Sequence, residues 1–234
     1  MLYSKLPNIL NDINTLLLPI VCFGCNARLN RGEKHLCTIC RNQIPLTEFT
    51  FNEENAVDRI FYGIINIKKA SSFLLFTEIG IVKNLIHNLK YKNQKQIGSF
   101  IGDWYGQILE KNNYLKDIDY IIPVPLHPKK KRKRGYNQVS LFGESLAKHL
   151  NTTFLEGVLI KTANTKTQTK KGRINRWQSS KKLYELTDTA ILENKNVLLI
   201  DDVITTGATM EICAKALQET PNITIYVCSM AVVL

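Results

Sequence analysis

Two adjacent carboxylates, Asp201 and Asp202, end the aliphatic run Val197-Leu198-Leu199-Ile200, and the stretch Thr205-Thr206-Gly207-Ala208-Thr209 follows closely. Acids at the end of a buried strand are costly to desolvate unless they accept from hydroxyls or backbone amides, or meet a cation. A ribose presents two neighbouring hydroxyls that answer this need. The threonine-rich stretch enters a helix near Thr209, so its backbone N–H groups and hydroxyls can converge on a phosphate at the positive helix end. Gly207 lets the backbone come close to the anion. The chemistry these residues serve is recognition of a phosphorylated ribose. The simpler alternative is a strand-to-helix turn capped by Asp and Thr, with no ligand.

A second segment also carries chemistry. Pro123-Val124-Pro125-Leu126-His127-Pro128 leads into six consecutive cations, Lys129 to Arg134, and then Gly135-Tyr136-Asn137-Gln138. Its prolines stiffen the exit from a strand, and cations so close together repel unless an anion or water screens them. Read as a loop, it offers Lys129, Lys133, Arg134, Tyr136, Asn137 and Gln138 to pyrophosphate or to a nucleic-acid backbone. The stretch Thr165 to Trp177 has little apolar periodicity, reads as a mobile loop, and adds Gln168, Arg173 and Arg176. Residues 129–182 hold fifteen Lys or Arg against two acids, a net +13, whereas the whole chain carries +11. Such a field favours polyanions without choosing between nucleic acid and pyrophosphate. Tyr136 and Trp177 are candidate rings for stacking single-stranded bases, with core packing as the alternative. Lys90-Tyr91-Lys92 is a further basic-aromatic triplet, of a kind that more often marks a solvated helix end.

Cys22-Phe23-Gly24-Cys25 and Cys37-Thr38-Ile39-Cys40 bring four thiolates within reach of one tetrahedral ion. A closed set of four cysteines leaves no open position for catalysis and suits structural zinc; an iron centre would use the same ligands. Four free thiols in a reducing cytosol, or two redox pairs, are the competing readings. His35 reads as a surface residue, and Cys213 and Cys228 as core.

At 234 residues, 44% hydrophobic and 22% charged, the chain is an ordinary globular sequence, which excludes disordered and collagen-like classes. Leu6, Ile9, Leu10, Ile13, Leu16 and Leu17 fall at helical spacing, interrupted by Asp12 and two asparagines, so the start reads as an amphipathic helix rather than a signal peptide. No apolar run reaches the ~18 residues that a membrane span needs, and a cytoplasmic protein is expected. RIFYGIINI, residues 59–67, reads as a short strand or two. Ile79, Val82, Leu85, Ile86 and Leu89 form one apolar helix face, and Ile97, Phe100, Ile101, Trp104 and Ile108 another. Trp104 reads as packing and His87 as surface. Strands at Tyr120–Val124, Val197–Ile200 and Ile223–Val227 alternate with helices, one of them Val139–Leu150, which predicts an α/β fold with a mostly parallel sheet flanked by helices. Ligands of such sheets sit outside the carboxyl ends of the strands, where both informative segments lie.

LIDDVITTGAT resembles the donor-binding motif of the type I phosphoribosyltransferases. The resemblance implies phosphoribosyl pyrophosphate with magnesium as ligand, Asp201 and Asp202 on the ribose, and Thr205, Thr206, Gly207, Ala208 and Thr209 on the 5′-phosphate. It also makes the Thr165–Trp177 stretch the flap that closes over the reaction. Taken with the Cys₄ front module, PVPL followed by RGYNQ, and TQTKKGRINRW, the chain as a whole is similar to the ComF family. That family implies a zinc finger in residues 1–50 ahead of a phosphoribosyltransferase-like domain in 51–234, its core about 117–234. It also implies a role in natural transformation, with single-stranded DNA and competence-machinery proteins at the inner membrane as partners. The unbroken cation run departs from the family's usual spacing and leaves open which cation meets an anion. The alternative function is catalytic transfer of ribose 5-phosphate to an unidentified acceptor.

Overall fold

The computed structural model describes residues 20–111, 115–162 and 183–234. The patterned N-terminal stretch and the basic stretch holding Gln168, Arg173, Arg176 and Trp177 lie outside the described residues. In chain order, α1 (Thr38–Gln43) ends the cysteine module and α2 (Ala56–Ile60) precedes β1 (Lys69–Leu75). Helices α3 (Ile81–Tyr91) and α4 (Gln96–Lys111) lead to β2 (Tyr120–Pro123), α5 (Pro128–Arg134), α6 (Ser140–His149) and β3 (Thr153–Phe154). Then come β4 (Leu159–Lys161), β5 (Tyr184–Leu186), β6 (Asn196–Ile204), α7 (Ala208–Leu217) and β7 (Thr224–Val232).

Five strands form one parallel sheet in the order β1-β7-β6-β2-β3, and β4 pairs with β5 antiparallel. A parallel sheet needs both faces covered, which is why its central strands read as unbroken aliphatics. Leu198, Ile200, Ile121 and Cys228 join the cluster built with α3, α4 and α6, whereas Val197, Leu199, Ile122 and Val227 join that of α2 and α7. Cys213 and Cys228 are buried, as expected. Among the described residues no helix is long and apolar enough to cross a membrane.

Four features of the fold differ from the sequence expectation. RIFYGIINI is not a strand: Asn55 and Asp58 form a reciprocal capping box that starts α2 ahead of it, Gly63 turns at φ 68°, and the strand that follows is KASSFLL. The strand expected to stop at Ile200 continues through both acids to Ile204, because β7 pairs with it along nearly its whole length. The cation run is a helix rather than a loop. Pro128 opens α5, His127 Nδ1 accepts from the Lys129 N–H, and Gly135 caps the end at φ 77°. The face expected on α4 is broader than its large residues: a Cβ on Gly102 would stand 2.7 Å from Phe142 O and from the Ser145 Cβ, so glycine is what lets α6 pack this close. Tyr105 and Leu109 are buried on this helix, while Phe100, Trp104 and Ile108 are half-buried.

Candidate functional site

Because β6 runs on through the acids, successive side chains leave it on opposite faces. Asp202 is buried, and Lys90 Nζ at the end of α3 lies 2.7 Å from its Oδ1. Gln138 Nε2 donates to Asp202 Oδ2 at 2.6 Å, and Arg134 Nη1 donates to Gln138 Oε1 at 2.9 Å. A chain of polar contacts thus runs from α3 through the second acid to α5. Asp201 accepts from the Asp202 N–H at 2.7 Å and acts electrostatically on Lys161, Tyr184 and Cys213, which belong to the other side. Burial, and then the Asp202 charge, push the Asp201 carboxyl up to about 8. An acid in that state is relieved by a ligand that brings hydroxyl donors or a cation.

The phosphate-sized feature is the turn from β6 into α7. Gly207 is left-handed at φ 74°, and a Cβ there would stand 2.7 Å from Ile60 Cγ2 and 2.9 Å from Phe61 Cε1. Both the backbone angle and α2 beneath it demand glycine. Thr205, Thr206, Ala208 and Thr209 are exposed around a concavity of about 40 Å³ at the start of α7. A larger cleft of about 410 Å³ adjoins it, lined by Asp201, Asp202, Thr205 and Thr209 on one side and by α5 and Lys90 on the other.

Helical spacing sorts the cations of α5. Lys130 and Arg134, one turn apart, line the cleft, while Lys131 and Arg132 line a separate cavity. Lys129 and Lys133 are exposed and line neither, so of the three cations expected at an anion only Arg134 lines the cleft. Gln138 lines the cleft and Asn137 does not: its amide donates to Val124 O at 3.1 Å and its Oδ1 accepts from the Val139 N–H, which fixes the loop. Tyr136 is half-buried, its hydroxyl donating to Leu89 O, with Lys95 Nζ 4.8 Å from the ring centroid. The open ring is Tyr91, 67% exposed, with the Arg134 guanidinium 5.4 Å from its centroid. Lys90, Lys161 and Tyr184 escaped the sequence reading as cleft residues, with only the Lys90-Tyr91-Lys92 triplet as a signal, while Lys130 lay within the flagged cation run without being singled out.

The four cysteine sulfurs all lie within 4.8 Å of one another, and Cys25 and Cys37 Sγ are 3.7 Å apart. Tetrahedral zinc with Zn–S of about 2.3 Å places sulfurs about 3.8 Å apart, so the residues present fit the ion. Cys22 Sγ accepts from the Gly24 and Cys37 N–H groups at 3.4 and 3.3 Å. Burial pushes the Cys22 thiol up, but these and the Cys25 backbone outweigh it and hold the thiol at about 7, a thiolate ready for a cation. His35 is no surface residue: it is half-buried between the rings of Phe23 and Phe100, at centroid distances of 5.8 and 5.2 Å. Asn84 and Asn88 of α3 donate to Gly24 O and Phe23 O at 2.6 and 3.0 Å, tying the module to the helix that carries Lys90.

The folded state raises the Asp201 pKa above its unfolded value, so this group favours folding most in acid, and the contribution is lost as pH rises from about 4 through 8. Asp201→Asn is expected to melt at a higher temperature than the native protein at pH 8 and above, with the gap shrinking in acid. Thermal melts across that range check it; parallel curves would mean that Asp201 is already ionised at neutral pH.

The phosphoribosyl transferase domain model matches residues 140–225, from the start of α6 into β7. Competence protein F of Haemophilus influenzae is 27% identical over 210 residues, covering 85% of this chain and 90% of that protein. Competence protein ComFC of Bacillus subtilis is 24% identical, covering 85% of this chain and 78% of its own length. DNA utilization protein YhgH of Escherichia coli O157:H7 is 28% identical over 148 residues, covering 61% of this chain and 63% of that protein.

Proposed function

We propose that this chain, a member of the ComF family with a type I phosphoribosyltransferase fold, binds phosphoribosyl pyrophosphate with magnesium in the β6 cleft and single-stranded DNA across α5. Asp201 and Asp202 would hold the ribose hydroxyls, Thr205 to Thr209 the 5′-phosphate, and Lys130 with Arg134 the pyrophosphate. The observation that carries the reading is the acid pair standing beside a glycine turn and two inward cations in one cleft. Zinc in the cysteine module, a module in residues 1–50 ahead of a body in 51–234, a cytoplasmic site of action and a role in competence complete it. The names of the relatives support that role.

The strand would follow the cations that the cleft does not use. Lys129 and Lys133 face solvent, and Tyr91 is an exposed ring flanked by Arg134 and by His87, whose ring centroid is 5.1 Å away, with Lys92 exposed beside it. Single-strand binding combines such a funnel with aromatic faces. Affinity for an oligothymidylate is expected to fall steeply with salt, and Lys129→Ala/Lys133→Ala to lower the log–log slope by about 1.4, at ~0.7 per lost phosphate contact. Tyr91→Ala should cost ~1 to 3 kcal/mol through lost stacking. Fluorescence anisotropy across a salt series decides, and a slope untouched by the double variant would move the strand elsewhere. Catalytic transfer is the second reading: Phe76 and Ile86 give the cleft an apolar wall beside Lys90, suited to an acceptor ring.

A further inference from the structure

A second cavity, of about 420 Å³, lies across the Pro125–Leu126 segment from the cleft, and Pro125, Leu126 and Lys161 line both. Its walls are rigid and apolar: Pro123, Pro125 and Pro128 with Leu159 and Ile160. Its polar groups are unlike those walls. Lys131 is held by Glu156 at 2.9 Å, but Arg132, on the same helix, has no ionic or hydrogen-bonding partner among the described residues.

We infer that this cavity takes one nucleotide unit, its planar base against the proline and aliphatic walls and its phosphate on Arg132. Rigid, flat apolar surfaces with a few polar groups at fixed places suit a ring system. A sugar would need donors and acceptors spread along the walls, whereas Pro123, Pro125, Pro128, Leu159 and Ile160 offer no side-chain donors or acceptors. Glu156, which also holds Lys131, has carboxylate lone pairs left to accept a ring N–H such as N3–H of thymine, and is of no use to an acyl tail. Arg132 offers a planar fork of donors that matches phosphate oxygens. The inference needs only this cavity and Arg132, and stands apart from the donor reading. It gives α5 two anion-facing sides, Lys130 and Arg134 toward the cleft and Arg132 toward the nucleotide. The unit can be a free mononucleotide or a residue within a single strand, and the test separates the two.

The experiment titrates the full native chain with thymidine 5′-monophosphate and, separately, with a twelve-residue oligothymidylate, each with and without saturating pyrophosphate. Arg132→Gln, a surface change, is expected to weaken binding about tenfold through loss of a charged hydrogen bond. Ile160→Trp, at a position 38% exposed on the cavity wall, should block it while leaving the melt intact. Mononucleotide binding that both variants weaken and pyrophosphate does not displace supports the site with a free nucleotide as ligand. Oligonucleotide binding with the same response, and none by the mononucleotide, supports it with a strand as the source. Binding that neither variant weakens, full displacement by pyrophosphate, or no binding of either probe overturns the inference.

Discussion

Replacing Lys90 by methionine is expected to destabilise the unliganded protein by about 3 kcal/mol, the low end of the cost of stranding a buried charge. Asp202 keeps only 7% of its side chain exposed, and Lys90, 21% exposed, is its cation at 2.7 Å. Gln138 would remain, but a neutral amide does not balance a carboxylate, and Lys90 is partly solvated, so the upper end of the range does not apply. Asp202→Asn in the Lys90→Met background should return most of the loss, because the amide no longer needs a cation. The check is a double-mutant cycle on urea midpoints with unchanged slopes. Single variants whose effects simply add would mean that the two groups do not depend on each other.

Removing the metal proposed for the four cysteines should have a comparable or larger effect. An ion that binds only the folded state at a thousandfold excess over its Kd stabilises by ~4 kcal/mol, which for a chain of this size is a fall in Tm on the order of 10 °C upon chelation. Leu36 is the one fully buried aliphatic of the loop between the cysteine pairs, so an ion shared by the four sulfurs would add the main cross-link within that loop. The loss should travel, because Asn84 and Asn88 tie the module to α3 and Lys90 is the next turn of that helix. Cys22→Ser is therefore expected to lower zinc content, Tm and donor affinity together, with magnesium supplied in excess throughout. Metal analysis with melts before and after chelation settles it; an unchanged melt would mean that the thiols hold no structural ion.

The parts legible in the sequence were those whose cause is local. Val197 to Ile200 must be buried on both faces, Gly207 must turn left-handed, and paired cysteines must share a centre; each is visible within a few residues. The strand's extent through Asp201 and Asp202 was not, because pairing with Ser229 and Ala231 of β7 decides it. Six cations in a row read as a repelling loop, yet Pro128, His127 and Gly135 cap them into a helix whose period then sends Lys130 and Arg134 one way and Lys131 and Arg132 another. Lys90 was hidden for a different reason. It is an unremarkable lysine near a helix end, and only the folded sheet brings it to an acid 112 positions away.

Calorimetric titration of the native full chain with phosphoribosyl pyrophosphate and magnesium tests the proposed donor site most directly. One site per chain is expected, lost in Asp201→Asn/Asp202→Asn. Near neutral pH the heat should vary with the buffer's ionisation enthalpy, because binding drives the proton off Asp201. A folded native protein that gives no binding heat at millimolar donor in buffers of different ionisation enthalpy would mean that the cleft is not a donor site.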